Sequence, residues 1–204
     1  MDGPSYPITS DEIRISKDLP SYRSKEFRRS RGCLRRALTN IYDMDPLKIP
    51  LSAPLGKPPR MENGFGHISL SHTNEAILIG WSINKIGVDI ELKKRDINAE
   101  KIMYRYFSKI EIENLRNLNV RKLNLEVLKY WVLKEACIKW QEGNLSKDIM
   151  QWEINQNKNK SIHSSLSFEL NIKLLKFSRW YLGIASNENM FKFDPILCNQ
   201  LVKY

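Results

Sequence analysis

Cysteine is scarce in this 204-residue chain, and what there is does not cluster. Cys33, Cys137 and Cys198 are odd in number and far apart, with no C-x-x-C pair and no His/Cys group beside them. Neither a zinc site nor a disulfide framework is indicated, and a reducing, cytoplasmic setting fits. Long apolar runs are missing too. The longest, Ala76 to Trp81, is far too short to span a bilayer, so no membrane segment is expected. The N-terminal Met1-Asp2-Gly3-Pro4-Ser5-Tyr6 lacks a basic region followed by an apolar core, and no signal peptide is read there. Acidic residues are the other shortage: 23 Asp and Glu face 33 Lys and Arg, for a net charge of +10. That balance favours an anionic partner, whether nucleic acid, membrane surface, polyphosphate or acidic protein.

What is present suits a folded protein. With 42% apolar and 27% charged residues, the chain is long enough to bury a real core. Residues 1 to 20 read as loop, with at most one short strand around Ile13 and Ile15. From Ser21 to Tyr42 the pattern is helical: Phe27, Leu34, Leu38 and Ile41 make one apolar stripe, and Arg28, Arg31, Arg35 and Arg36 are among the residues expected on the solvated faces. Asp43 to Pro59 is a proline-rich loop, and Gly56-Lys57-Pro58-Pro59 within it cannot be helical.

Ile68–Ser71 and Ala76–Ile83 form a hairpin about the Thr73-Asn74-Glu75 turn, and a third strand follows from Ile86, so three consecutive antiparallel strands are expected in one sheet. Asn98–Tyr106 reads as a short helix, and Ser108-Lys109-Ile110-Glu111 has capping-box spacing. Asn114 to Asn124 is rich in Asn and Arg and is a candidate for partner contact. Gln151–Ile154, Ser164–Phe177 and Arg179–Ser186 read as strands. Each half thus has a helix-rich part followed by antiparallel strands. The expected fold is α+β, a pseudo-twofold pair of similar units at 1–86 and 87–204, each an antiparallel sheet packed with a long helix.

The chemistry concentrates in two stretches. In Ile86-Gly87-Val88-Asp89-Ile90-Glu91 the apolar residues alternate with acids, so Asp89 and Glu91 leave one face of a strand about 7 Å apart. Burying both is costly unless a hard cation neutralises them. The second stretch, Trp131 to Lys139, lies in a run from Leu123 to Gln141 without Gly or Pro, closed by Gly143. Trp131, Glu135 and Lys139 share one helical stripe. If that stripe faces the strand, Glu135 becomes a third oxygen ligand and Lys139 a positive charge beside it. Three carboxylates with substrate oxygens suit Mg²⁺, with Mn²⁺ as an alternative. Taken singly, a D-x-E strand is a weak signal, and Glu135 and Lys139 are equally well an ordinary surface ion pair.

Together the stretches say more. G-V-D-x-E followed by W-x-x-K-E-A-x-x-K, with Gly56-Lys57-Pro58 and Ser69-Leu70-Ser71-His72 upstream, resembles the signature of the 4′-phosphopantetheinyl transferases, in their larger, surfactin-synthetase-activating branch. Val132 departs from the pattern, which usually has a small polar residue there. The resemblance implies a pseudo-twofold protein with its site between the halves. It also implies Mg²⁺-dependent transfer of 4′-phosphopantetheine from coenzyme A to a serine of an apo acyl, peptidyl or aryl carrier protein, leaving 3′,5′-ADP, the activity of a holo-acyl-carrier-protein synthase.

On the same resemblance Asp89, Glu91 and Glu135 hold the metal, and Glu135 or a water on the ion accepts the serine proton. Lys139 and His72 take up charge on the leaving phosphate. Arg28 and Arg31, drawn from the arginine cluster, meet the 3′-phosphate of coenzyme A, and Lys57, Pro58, Ser71, His72 and Lys139 contact the coenzyme. Glu111, where the family has a further glutamate, is read here as a helix cap, and Trp131 as a packing residue. A monomer with no nucleic-acid or membrane partner is expected. Two rival readings remain: a basic nucleic-acid-binding protein, which the charge of +10 and the arginine-rich helix permit, and a Mg²⁺-dependent phosphoesterase that uses the same acids to activate water.

Overall fold

The computed structural model describes residues 6–52 and 57–188. They belong to two compact units, Met1–Lys57 together with Asn189–Tyr204, and Pro58–Glu188. Gly56 of the expected Gly-Lys-Pro loop lies outside the described residues. The junction expected between 86 and 87 falls inside the second unit. Among the described residues no helix is long and apolar enough to cross a membrane.

In the first unit, the stretch expected to be loop or strand is a helix, α1 (Ser10–Lys17). A capping box overrides the weak local pattern: Thr9 accepts from the Glu12 backbone N–H while the Glu12 carboxylate accepts from that of Thr9. Helix α2 (Ser21–Tyr42) has the expected bounds. Leu34 and Leu38 are fully buried, and Arg31 and Arg35 are buried with them rather than solvated. The four residues occupy steps i, i+3, i+4 and i+7 of one face, which the charge pattern alone disguises. Arg35 is accommodated because every polar demand is met. Its Nε donates to Glu12 at 2.8 Å, and Nη1 donates to the carbonyls of Pro46 and Ile49 at 2.9 and 3.1 Å. A 3₁₀ turn (Pro46–Lys48) and the short strand β1 (Leu51–Ser52) follow.

The second unit mixes antiparallel strands and helices, as expected for an α+β protein. After the short β2 (Arg60–Met61), strands β3 (His67–His72) and β4 (Ile77–Ser82) pair as a two-stranded hairpin, with Ser71 opposite Leu78. Strand β5 (Ile86–Leu92) does not join them, contrary to the expectation of one three-stranded sheet. It pairs instead with β9 (Trp180–Ser186), in a five-stranded sheet ordered β5-β9-β8-β7-β6. Hairpin and β5 are linked by side chains: the Ser69 hydroxyl accepts the Val88 N–H at 3.0 Å. The rest of the sheet is β6 (Trp152–Asn155), β7 (Lys160–His163) and β8 (Glu169–Phe177). The stretch expected as one strand from Ser164 is broken: Ser167 takes a left-handed φ of 53°, and β8 begins only at Glu169.

Between the strands lie α3 (Ala99–Tyr106), α4 (Lys109–Leu115), α5 (Val120–Gln141) and α6 (Leu145–Asp148). The segment singled out for partner contact is the end of α4 and the start of α5, capped by Asn119. Helix α5 packs its Val127, Leu133, Ala136 and Cys137 into a core with Met103, Phe107, Trp152, Leu170 and Ile172. Its backbone lies unusually close to the sheet at two glycines. A Cβ on Gly87 would stand 2.0 Å from the Ala136 carbonyl oxygen and 2.5 Å from the Trp140 nitrogen; on Gly183 it would stand 2.6 Å from the Val132 oxygen. Gly183 is the cross-strand partner of Asp89, and Gly87 shares that face two residues earlier.

Glu111 is a cap, as its spacing suggests, and more. It is 1% exposed; its carboxylate accepts the N–H groups of Ser108 and Ile154 and pairs at 2.9 Å with Lys134, which is fully buried. Lys134 also donates to the carbonyls of Ile149 and Trp152. One buried ion pair thus ties α4, α5 and β6 together.

Two stability predictions follow from these contacts. Gly87→Ala should cost about 1–3 kcal/mol in urea unfolding, because the obstacles are helix backbone rather than side chains that can turn away. Lys134→Met should cost about 3–5 kcal/mol by stranding a buried carboxylate, and adding Glu111→Gln, which removes the stranded charge but offers one acceptor oxygen for the two N–H groups of Ser108 and Ile154, should recover part of that loss. Equal stability of the single and double variants would contradict the second prediction.

Candidate functional site

Because α5 lies against the face of β5 that carries Gly87, the next outward positions on that face, Asp89 and Glu91, meet the α5 stripe that holds Glu135 and Lys139. Strand β3 contributes Ser71 and His72 from the other side. Leu70, Ser71, His72, Asp89, Ile90, Glu91, Glu135 and Lys139 line a single cleft of about 310 Å³. A larger hollow of about 490 Å³ lies among Asp96–Glu100, Val120, Leu123 and Asn124, away from these groups. The smaller cleft is the one that gathers three carboxylates, a lysine and a histidine.

Asp89 is the fixed point of the cleft. It is 4% exposed, and its Oδ1 accepts from Ser71 Oγ and from Lys139 Nζ, each at 2.7 Å. Its other oxygen, Oδ2, is buried and has no partner. An unpaired buried carboxylate oxygen is expensive unless something else binds it. Glu91 is half-buried and paired with Arg95. Burial pushes its carboxyl above the ordinary range; Arg95 draws it back and Asp89 adds to the push. Glu135 is pushed further, to about 7, first by burial and then by the charge of Asp89, with Lys139 opposing. A carboxyl poised near neutrality can give or take a proton at physiological pH.

These donors suit a hard divalent ion: all are carboxylate oxygens, one is orphaned, and neither cysteine nor a second histidine lines the cleft. Yet no three His, Cys, Asp or Glu side chains among the described residues stand ready to hold a metal. Magnesium does not need such a cage, since it keeps waters and shares phosphate oxygens with one or two carboxylates.

Six of the sequence-predicted residues therefore meet: Ser71, His72, Asp89, Glu91, Glu135 and Lys139. The proton of Ser71 is directed to Asp89, so its hydroxyl braces that carboxylate. Trp131 packs edge-on against Tyr106, at 5.8 Å between ring centres, as a packing residue would. Arg28, Arg31 and Lys57 belong to the first unit. Arg28 is exposed, with Nε donating to Ser16 Oγ at 2.7 Å. Arg31 is buried, its guanidinium 4.8 Å from the centre of the Phe27 ring and its Nε and Nη1 without partners. Burial lowers its pKa. Lys57 and Pro58 are exposed. Two contributors were not visible in the sequence. For Arg95 the one available signal is its spacing of four from Glu91; for Gly183 there is none.

A sequence model of the 4′-phosphopantetheinyl transferase superfamily matches residues 85–189. The 4′-phosphopantetheinyl transferase HetI of Nostoc sp. (strain PCC 7120) is 25% identical over 147 residues, 69% of this chain and 62% of its own length. The 4′-phosphopantetheinyl transferase Sfp of Bacillus subtilis (strain 168) is 25% identical over 134 residues, 65% of this chain and 59% of its own. The 4′-phosphopantetheinyl transferase ffp of Bacillus subtilis is 28% identical over 122 residues, 59% of this chain and 54% of its own. The chain thus spans 54–62% of the length of these curated relatives, less than two thirds of each.

The raised carboxyl of Glu135 makes stability depend on pH in a definite direction. Below its ordinary value of 4.5 the group is protonated whether the chain is folded or not, and it costs nothing. Between there and about 7 the unfolded chain sheds the proton first, so the native state loses ground as pH rises. Glu135→Gln should therefore stabilise the protein above about pH 7, with the gain fading towards pH 4.5. Urea midpoints of both proteins at several pH values check this; a pH-independent difference would contradict it.

Proposed function

The chain belongs to the 4′-phosphopantetheinyl transferase superfamily, and on that premise we propose that it moves the 4′-phosphopantetheine group of coenzyme A to a serine hydroxyl of an apo carrier protein, releasing 3′,5′-ADP. The observation that carries this reading is the single cleft in which β3, β5 and α5 bring together Asp89, Glu91, Glu135, Lys139 and His72. Carboxylates for a divalent ion and cations for phosphate oxygens are what cleavage of a diphosphate requires.

Asp89, Glu91 and Glu135 are the residues that would hold Mg²⁺ or Mn²⁺, Asp89 having Oδ2 free for the purpose. The ion supplies Lewis-acid polarisation of the diphosphate. Glu135, with its proton affinity near neutrality, accepts the proton of the carrier serine as the serine oxygen attacks the phosphorus next to the pantetheine. The bond from that phosphorus to the bridging oxygen breaks, and the electrons leave with 3′,5′-ADP. Lys139 and His72 neutralise the charge that grows on the departing phosphate. Arg28, Arg31 and Lys57 are coenzyme contacts in this reading; the partnerless Nε and Nη1 of Arg31 are donors that a phosphate would use. Pro58 stiffens the loop that presents Lys57, and Ser71 meets the coenzyme while bracing Asp89. The reading extends to a monomer acting in the cytoplasm, on an acyl, peptidyl or aryl carrier, with halves at 1–86 and 87–204 that derive from one duplicated unit.

Mass spectrometry tests the proposal directly. An apo carrier protein incubated with this protein, coenzyme A and Mg²⁺ should gain one phosphopantetheinyl group. Free phosphopantetheine instead would mean hydrolysis and would refute the transfer. Asp89→Ala should abolish transfer while leaving the circular dichroism unchanged. Lys57→Ala and Arg28→Ala should chiefly raise the KM for coenzyme A, and unaltered KM values would remove both from the coenzyme site.

A further inference from the structure

Each of two carboxylates in the cleft has a basic side chain of its own. Asp89 Oδ1 is 2.7 Å from Lys139 Nζ, and Glu91 is paired with Arg95, four positions further along the chain. In both pairs the acid is the withdrawn partner and the base reaches in from the open side. Side-chain exposures are 6% for Asp89 against 29% for Lys139, and 15% for Glu91 against 46% for Arg95. The acids are fixed by strand β5, and Asp89 also by Ser71. Both bases sit on long flexible stems; Arg95, the more exposed, leaves more readily than Lys139, whose partner is buried.

Charge balance gives the arrangement a purpose. A divalent ion brings two positive charges, and the diphosphate of coenzyme A brings two negative ones. If the ion takes over the carboxylates while the two displaced bases turn to phosphate oxygens, the total charge of this half-buried cleft does not change. Entry of either partner alone leaves it unbalanced, which is costly where water is scarce. We infer that Lys139 and Arg95 are resident counter-ions that stand in for the divalent ion, and that ion and diphosphate enter together as the carboxylates pass to one and the bases to the other. The inference rests on reading the cleft as a diphosphate site, and it gives Arg95 a substrate-binding role.

The test is a Mn²⁺ titration of the full chain, followed by the electron-spin-resonance signal of free Mn²⁺, without and with coenzyme A. Without the coenzyme, Lys139→Gln should tighten Mn²⁺ about 10-fold and Arg95→Gln about 3-fold, because each removes a competitor for a carboxylate. Arg95→Lys should restore the wild-type value. Lys94→Gln, which removes the same charge from the exposed neighbouring position, should change affinity by less than about 1.5-fold. Coenzyme A should tighten Mn²⁺ on the wild type, and less so on either Gln variant, as reciprocal coupling demands.

Mn²⁺ affinities of Arg95→Gln and Lys139→Gln no tighter than that of Lys94→Gln would overturn the inference. Transfer to a carrier, assayed in parallel on the wild type, separates the two claims. An active wild type with unaltered Mn²⁺ affinities sinks the counter-ion exchange alone. A wild type that neither transfers nor shows coenzyme-dependent Mn²⁺ binding sinks the functional reading as well.

Discussion

Everything in the cleft depends on how closely α5 lies on the sheet. The helix rests its backbone on Gly87 of β5 and Gly183 of β9, where any side chain would collide with peptide atoms. This contact is steric rather than adhesive, and interiors this dense do not relax around an added methyl. It sets the height of Glu135 and Lys139 above Asp89. The buried Lys134–Glu111 pair fixes the helix from its opposite side, using the residue next to Glu135. The face that carries Glu135 and Lys139 is thus held between two constraints, one of shape and one of charge.

The charges are arranged by the same economy. Asp89, Glu91 and Glu135 are withdrawn from water in one small space, and each responds differently. Asp89 has a lysine and a serine on one oxygen, Glu91 has an arginine, and Glu135 has its proton affinity raised. As it stands the cleft is nearly self-neutral. Carboxylates without such local compensation would resist being buried at all.

Much of this was legible in the sequence because it follows from local period. Strand alternation put Asp89 and Glu91 on one face, and helical spacing put Glu135 and Lys139 on one stripe; their meeting needed only that the two surfaces face each other. The bounds of α2 and the cap at Ser108 were equally local. What was hidden is long-range or runs against expectation. Arg31 and Arg35 lie on the buried face of α2, where an arginine is tolerated only because Glu12 and two distant carbonyls receive Arg35. The partner of β5 is β9, near the other end of the unit, and no pattern within β5 names it. Thr9 and Glu12 have capping-box spacing, but the short helix behind them has too little apolar period to be read from sequence.

The attachment of the β3–β4 hairpin has a further consequence. It is joined to β5 through the hydroxyls of Ser69 and Ser71 and through the packing of Ala76 and Leu78 on Ile90, and not through a ladder of main-chain bonds. Losing a ladder means stripping many peptide groups at once, whereas two hydroxyl contacts break singly and are readily replaced by water. One wall of the cleft is therefore hung on latches, while the opposite wall is welded. The serine side is the one whose attachment a single side-chain substitution can loosen.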